Sequence, residues 1–232
     1  MKKFLSLLVV AVLFNSCQQD IQTNTPAFEA KLNDVFWRAS DATVSIDING
    51  GMTITAYAPN ETVILKSSAS TIGTYYLGTQ NYAANHATYT SSIQGLGDFY
   101  NTSVIEGPAY KLSGILTGGS SYAATDAAQT ISNSNGVGLR VKTKVNSSGA
   151  VTEITILARG EGYEAGDIIT IVGGNNGATF KVINVQQSNG EIKIEKIEDG
   201  LYSGKFKFNA INDEGEIVTF SEGEFYKIPL GL

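Results

Sequence analysis

The chain has 232 residues, with 22 acidic and 16 basic side chains, a formal charge of −6, and 42% hydrophobic residues. Glycine is abundant, proline is scarce, and no long stretch carries Ala, Leu, Glu and Lys at helical spacing. This composition argues against a helical bundle and favours an all-β fold with many turns, and the acidic charge argues against a nucleic-acid partner.

The start of the chain has the pattern of an export signal. Two lysines precede an apolar run, Phe4–Phe14, which is too short to cross a bilayer because a spanning helix needs about 20 apolar residues. Asn15 and Ser16 are small, and Cys17, the only cysteine, follows. This resembles the lipobox of bacterial lipoproteins, with Phe14 where leucine is usual. The alternative is an ordinary signal peptide with a chance cysteine.

The lipobox resemblance implies that residues 1–16 are removed and that Cys17 carries lipid, palmitate included. The protein would then lie in the cell envelope, held to the outer membrane on its periplasmic face or at the cell surface. Removal of two lysines takes the formal charge from −6 to −8, so lipid rather than electrostatic attraction would provide the anchor. Residues 17–27 are polar and are predicted to form a flexible tether.

The predicted body is an antiparallel sandwich or barrel-like domain, residues 28–103 plus 188–232, interrupted by a second small β module, residues 104–187. Alternation of apolar and polar residues predicts strands in the first domain, and Asn33-Asp34 is predicted to form a two-residue turn. Val44, Ile46 and Ile48 are expected to share a face, and Trp37 is expected in the core. Predicted strands of this domain cover 28–32, 35–39, 43–48, 52–57, 61–66, 73–78, 191–197, 203–211 and 216–220.

The middle block, residues 104–187, is rich in Gly and Ser. Its predicted strands are 139–145, 151–157, 168–172 and 178–185. The piece from Tyr122 to Gln129 has a pattern that one or two helical turns would fit. Arg140, Lys142 and Lys144 share one strand face, where Glu153 on the next strand would pair with them; a ligand-facing basic patch is the alternative.

Several short motifs of the outer segments occur in an order that resembles a known family. They are Phe28-x-Ala30, Trp37-x-Ala39, Gly73-Thr74-Tyr75-x-Leu77-Gly78, Ser203-Gly204-Lys205-Phe206-Lys207-Phe208 and Glu222-Gly223-Glu224-Phe225. Together the outer segments, 28–92 and 190–229, resemble uncharacterised lipoproteins of Bacteroidota, known only as a domain of unknown function. The resemblance implies a β-rich exported lipoprotein and brings no activity with it.

The middle block resembles a Gly-rich β module of phage tail and appendage proteins. The motif is Gly160-Glu161-Gly162-Tyr163-Glu164-Ala165-Gly166-Asp167, followed by Ile168-Ile169-Thr170-Ile171, Gly173-Gly174 and Gly177-Ala178-Thr179-Phe180. Such modules are structural or adhesive. The resemblance implies that Tyr163 covers a small core and that the block is inserted in a loop, which costs little closure entropy.

No catalytic residues, metal ligands or cofactor are predicted. Gly160-x-Gly162-x-x-Ala165 fits a dinucleotide fingerprint formally, but a strand follows it where that motif requires a helix. His86, the only histidine, has no second His or Cys nearby and is interpreted as a polar loop residue. Carboxylates are plentiful, and a glycosidase needs only a pair about 5–10 Å apart; sequence does not establish that spacing.

The leading functional hypothesis is a non-catalytic binding, adhesion or structural role at the envelope. The second is a glycan-binding or carbohydrate-active protein, for which Tyr82, Tyr89 and Tyr100 are the candidate ligand-binding residues, because aromatic rings in polar context can pack on a ligand. The third is a small-molecule carrier, if the first domain is a hollow barrel. The partners expected are the membrane, through Cys17, and an unidentified glycan or protein.

Overall fold

The computed structural model describes residues 26–92 and 98–231. Within them the fold is all-β, without helices, as predicted. The strands, in chain order, are β1 (Ala27–Leu32), β2 (Val35–Arg38), β3 (Asp41–Ile46), β4 (Met52–Ala58), β5 (Glu61–Ser67), β6 (Gly73–Leu77), β7 (His86–Ser91), β8 (Asp98–Asn101), β9 (Ala109–Leu112), β10 (Thr117–Gly118), β11 (Thr125–Ser132), β12 (Val137–Val145), β13 (Val151–Glu161), β14 (Ile168–Ile171), β15 (Ala178–Val185), β16 (Asn189–Glu198), β17 (Leu201–Ile211) and β18 (Ile217–Pro229).

The strands form two antiparallel sheets. The first runs β2-β1-β18-β17-β8-β7-β5-β4-β3, and β16 and β6 branch from β17. The second runs β10-β15-β14-β11-β12-β13, with β9 also paired to β15. Both sheets curl, giving a half-barrel and a nearly closed barrel. A bridge between Val44 and Leu230 brings β3 to the end of β18, and the Arg159 guanidinium of β13 donates to the carbonyls of Ala109 and Tyr110 in β9.

Aromatic rings fill the core of the first sheet. Phe208 and Phe220 stack with centroids 4.7 Å apart, Phe28 and Phe206 stack at 4.6 Å, and the buried Trp37 lies edge-on to both Phe28 and Phe220. The prediction that Trp37 is a core residue is confirmed. Phe206 and Phe208 come from alternate positions of β17, because side chains along a strand alternate between its two faces. The other rings come from β1, β2 and β18.

The second sheet has its own core. Tyr163 is fully buried there, and its hydroxyl accepts a hydrogen bond from the Leu139 amide at 3.1 Å. Phe180, Val141 and Ile169 pack in the same cluster. A buried polar tip needs such a partner, so Tyr163 joins the Gly-rich loop before β14 to β12.

Polar contacts connect the two sheets. The Asn184 amide donates to the Leu77 carbonyl at 3.2 Å, and the Ser188 hydroxyl donates to the Ser103 carbonyl. The Lys111 ammonium lies 3.5 Å from the centre of the Tyr76 ring. The contacts of Asn184 and Lys111 place β15 and β9 of the second sheet beside β6 of the first.

The predicted Asn33-Asp34 turn is confirmed. Asn33 and Asp34 both have positive φ in the predicted turn. Other expectations are wrong. The segment from Tyr122 to Gln129 contains the start of β11 and is not helical, because pairing with β12 and β14 satisfies its backbone. Ile46 and Ile48 are exposed, since β3 ends at Ile46 and Ile48 lies in the following turn.

Candidate functional site

The predicted lipid attachment site, Cys17, lies outside the described residues, as do residues 1–16 and most of the predicted tether. Within the described residues, the first strand, β1, begins at Ala27. In the part of the chain that the structure describes, no helix has the length and apolar character needed to cross a bilayer. Lipidation of Cys17 therefore stays a prediction.

The three candidate tyrosines do not form one surface. Tyr89 in β7 and Tyr100 in β8 lie opposite each other and are only 5% and 7% exposed, with ring centroids 5.9 Å apart. Tyr82 is 44% exposed and lies in the loop before β7. The polar context that suggested exposure for Tyr89 comes from Thr88 and Thr90, which occupy the alternating outward positions of the same strand.

The hydroxyls of the buried tyrosines are bonded to carboxylates. Glu61 accepts a hydrogen bond from Tyr89 at one oxygen and from the Trp37 indole at the other, the latter at 3.1 Å. Tyr100 donates to Glu216 at 3.3 Å. Burial raises the pKa of both tyrosines, and the hydrogen bonds to Glu61 and Glu216 raise the pKa further. The two tyrosines and their carboxylates stabilise the edge of the core.

Stability should fall at alkaline pH because of this arrangement. A phenol with an ordinary pKa of about 10 in the unfolded chain and a raised pKa in the native state binds its proton more tightly when folded. The phenol therefore contributes fully to the free energy of unfolding below pH ~10. That contribution is lost as the pH rises toward the pKa of the phenol in the folded protein. We expect the free energy of unfolding of Tyr89→Phe to decrease less steeply above pH ~10 than that of the wild type, because the variant has no phenol to ionise at this position. Urea unfolding at several pH values measures this slope. An unchanged slope would contradict this.

A groove of about 520 Å³ lies on the outer face of β16, β17 and β18. Its side chains carry both signs of charge, with Lys193–Glu195 paired at 2.7 Å and Lys207–Glu191 at 3.2 Å. The groove is lined by Glu191, Lys193, Glu195, Lys205, Phe206, Lys207, Glu222, Gly223 and Glu224. The sequence reasoning missed it, since charged residues at alternate positions are the usual pattern of any solvated sheet face.

Two of the three basic side chains on the face of β12, Arg140, Lys142 and Lys144, form ion pairs. Lys144 pairs with Glu153 across the β12–β13 ladder at 2.8 Å, which confirms the predicted cross-strand interaction. Lys142 pairs with Asp126 at 2.7 Å, raising the pKa of Lys142 and lowering that of Asp126 through a hydrogen bond and charge attraction. Such exposed pairs contribute little stability, and they leave two of the three basic side chains already neutralised.

A smaller polar pocket of about 250 Å³ lies near Tyr82, where the turn after β3, the end of β5 and the loop before β7 meet. The ring of His86 lies 5.9 Å from the Tyr82 ring, and His86 Nδ1 is hydrogen bonded to the Tyr82 carbonyl at 3.0 Å. Burial lowers the pKa of His86. The pocket is lined by Asp47, Asn49, Gly51, Lys66, Ser67, Ser68, Asn81, Ala83 and Ala84.

Within the described ranges, 26–92 and 98–231, no three His, Cys, Asp or Glu side chains form a cluster that could hold a metal ion. Glu216, which follows the turn after β17, also accepts internal hydrogen bonds, from the Asn212 side-chain amide and from the Tyr100 hydroxyl. The chemistry that these residues offer is hydrogen bonding and charge pairing.

Comparison with known proteins yields one family. No curated protein and no solved structure matches this chain. A protein family described as a domain of unknown function, DUF6252, matches residues 24–142 and, in a second overlapping match, residues 115–229. The resemblances to Bacteroidota lipoproteins and to phage-tail modules stay predictions. Because these matches together span nearly all of the described body, the chain belongs to the DUF6252 family.

Proposed function

We propose that this protein is a lipoprotein of the cell envelope, anchored through Cys17, whose β body has a non-catalytic binding, adhesion or structural role. The lipid part of the proposal is supported by the sequence: a short apolar run, small residues and the only cysteine at position 17. More than one acyl chain gives stable anchoring. Nine residues, 18–26, separate Cys17 from the start of β1 at Ala27, and this spacer would hold the body clear of the lipid.

The observation that best supports a non-catalytic role is the use of half-buried carboxylates by the fold itself. Glu61 is occupied by Trp37 and Tyr89. Asp167 accepts from the Ser134 hydroxyl and from the Glu164 amide. A catalytic acid or base must reach a proton of the substrate, and carboxylates that already close internal hydrogen bonds are poorly placed to do so.

The anchor is tested by metabolic labelling with an alkyne analogue of palmitate. We expect the wild-type protein to take up the label and to partition with membranes, and Cys17→Ala to lose both properties because it lacks the thiol that forms the thioether. Ser16→Ala is the matched control, since it keeps a small residue beside the cysteine and should stay labelled. Equal labelling of Cys17→Ala and wild type would contradict the proposal.

The face of the membrane is tested by protease treatment of intact cells expressing the full chain. Loss of the body places it at the cell surface and supports adhesion or capture of an external ligand. Protection places it in the periplasm and supports a structural role in the envelope. Release of reducing sugar ends from polysaccharides by the purified protein, above the level of a mock purification, would overturn the non-catalytic assignment.

Glycan binding is the second candidate. It is favoured by Tyr82, which is exposed and lies in the chain between Asn81 and Ala83, two residues that line a polar pocket. The carrier alternative is weaker. The rings of Phe28, Phe206, Phe208 and Phe220 pack in the core of the first sheet in stacked and edge-on contacts, and a carrier requires an apolar cavity at that place.

A further inference from the structure

We propose that the pocket beside Tyr82 is a binding subsite for one uncharged sugar ring. The proposal rests on the binding role proposed above and names the ligand class for it. Three segments build the pocket: the turn Asp47–Gly51, the end of β5 at residues 66–68, and the loop of residues 81–85.

Hydrogen bonds hold the three segments in place. Asn85 accepts from the Ser68 amide at 2.7 Å, which ties the loop to β5. The carbonyl of Asn81 accepts from the amides of Ala84 and Asn85, and Asp47 Oδ1 accepts from those of Asn49 and Gly51. A pocket held in this way loses little conformational freedom when a ligand binds.

The polar groups that remain are suited to hydroxyls. Asp47 Oδ1 caps the turn, and its other oxygen, Oδ2, lies over Gly51, where a Cβ would come within 2.6 Å of it. Glycine therefore leaves room for that carboxylate oxygen, which can accept from a sugar hydroxyl. Lys66 also lines the pocket and makes no ion pair with a described residue, so its ammonium can donate to a hydroxyl.

The apolar surface is of the right kind for the carbon face of a sugar. Ala83 and Ala84 line the pocket. Tyr82, whose side chain is 44% exposed, lies in the chain between two lining residues, Asn81 and Ala83. His86 holds the Tyr82 backbone through its hydrogen bond to the carbonyl and packs against the ring. An aromatic body with a polar tip fits a ligand that has both an apolar face and a hydroxylated edge.

Charge and size narrow the ligand class. Asp47 and Lys66 carry opposite charges, so the carboxylate disfavours a phosphate and the ammonium disfavours a metal cation. The volume of about 250 Å³ is below the range of about 300–1,000 Å³ typical of drug-sized ligands. A single neutral pyranose ring, as a terminal residue of a glycan, satisfies both conditions.

The test is a titration of the ¹⁵N-labelled full chain, purified in detergent, with four probes: the methyl glycosides of glucose, galactose, mannose and N-acetylglucosamine. At least one probe should shift amide resonances of residues 47–51, 66–68 and 81–84. A dissociation constant on the order of 1–10 mM is expected, because a shallow site for one ring gains little affinity. Shifts from none of the four probes, or shifts confined to other residues, would overturn the proposal.

Matched variants separate recognition from folding. Asp47→Asn keeps an oxygen for the turn amides and removes the charge, and it should weaken binding at least ~5-fold, the scale of one charge-assisted hydrogen bond. Asp34→Asn, also in an exposed turn but outside the pocket, should bind like wild type. Tyr82→Ala should weaken binding, whereas Tyr57→Ala, at another exposed tyrosine, should not. If Asp47→Asn and the wild type bind the sugar probe with equal affinity, Asp47 does not contact the ligand and the proposed site is wrong.

Failure here is distinguishable from failure of the proposed function. If Cys17 is labelled and no probe binds, the anchored envelope protein stands and the sugar subsite is wrong. If a probe binds at residues 47–51 and Cys17 takes up no label, the subsite stands and the anchor is wrong.

Discussion

Replacing Phe220 with alanine is expected to lower the free energy of unfolding by about 3–5 kcal/mol, the range for a phenylalanine removed from a packed core. Phe220 lies at the centre of the aromatic core, with ring centroids 4.7 Å from Phe208, 5.3 Å from Tyr89 and 5.8 Å from Trp37. It is also the cross-strand partner of Phe208. Its loss removes apolar burial and three ring contacts together.

The measurement is urea unfolding followed by the fluorescence of Trp37, the only tryptophan, which reports on this core directly. Phe36→Ala is the matched control, because Phe36 in β2 is 67% exposed and its removal should change the unfolding free energy by no more than about 0.5 kcal/mol. Similar midpoints for the two variants would show that the ring cluster around Phe220 does not carry the stability assigned to it.

Replacing Gly160 with alanine is expected to destabilise the β12–β13 ladder by about 3 kcal/mol, from the strain of a left-handed residue together with a clash against backbone. Gly160 has φ +61°, and a Cβ there would lie 2.2 Å from the Val137 carbonyl oxygen and 2.6 Å from the Leu139 nitrogen. Neither atom belongs to a flexible side chain, so β12 or β13 must move.

Hydrogen exchange measured by mass spectrometry localises the effect. Peptides from β12 and β13 should exchange roughly 100-fold faster in Gly160→Ala, since each 1.4 kcal/mol corresponds to a factor of ten. Gly215→Ala is the control that separates backbone strain from steric clash, because Gly215 has φ +85° and open space around it. This variant should lower the free energy of unfolding by about 1–2 kcal/mol. Hydrogen exchange in β12 and β13 should stay as in the wild type. Wild-type exchange in Gly160→Ala would refute the clash.

Many strands were predictable because local chemistry specifies them. Alternation in 203–211 separates the buried Phe206 and Phe208 from the exposed Lys205 and Lys207, and it reflects the two-residue period of any strand. The Asn33-Asp34 turn follows from the tolerance of both residues for positive φ. The predicted all-β class rests on the same signals repeated along the chain.

The candidate site was less predictable. The polar sequence context favours exposure equally for Tyr82, Tyr89 and Tyr100, yet Tyr89 and Tyr100 lie in the core. A tyrosine between polar residues is compatible with either face of a strand, and only the partner strand shows which face is buried. The pocket residues Asp47, Lys66 and Asn81 are far apart in sequence and have no shared motif.

The sequence by itself determined what depends on near neighbours along the chain: the strand periodicity, the turns and the β class of the body. The tertiary structure decided what depends on distant neighbours. It alone brought Glu61 to Trp37 and Tyr89, assembled the groove across β16, β17 and β18, and placed the Asp47 turn beside the loop of Tyr82. The reason is physical: backbone preference and side-chain alternation act over a few residues, whereas burial and charge pairing depend on which strands meet in space.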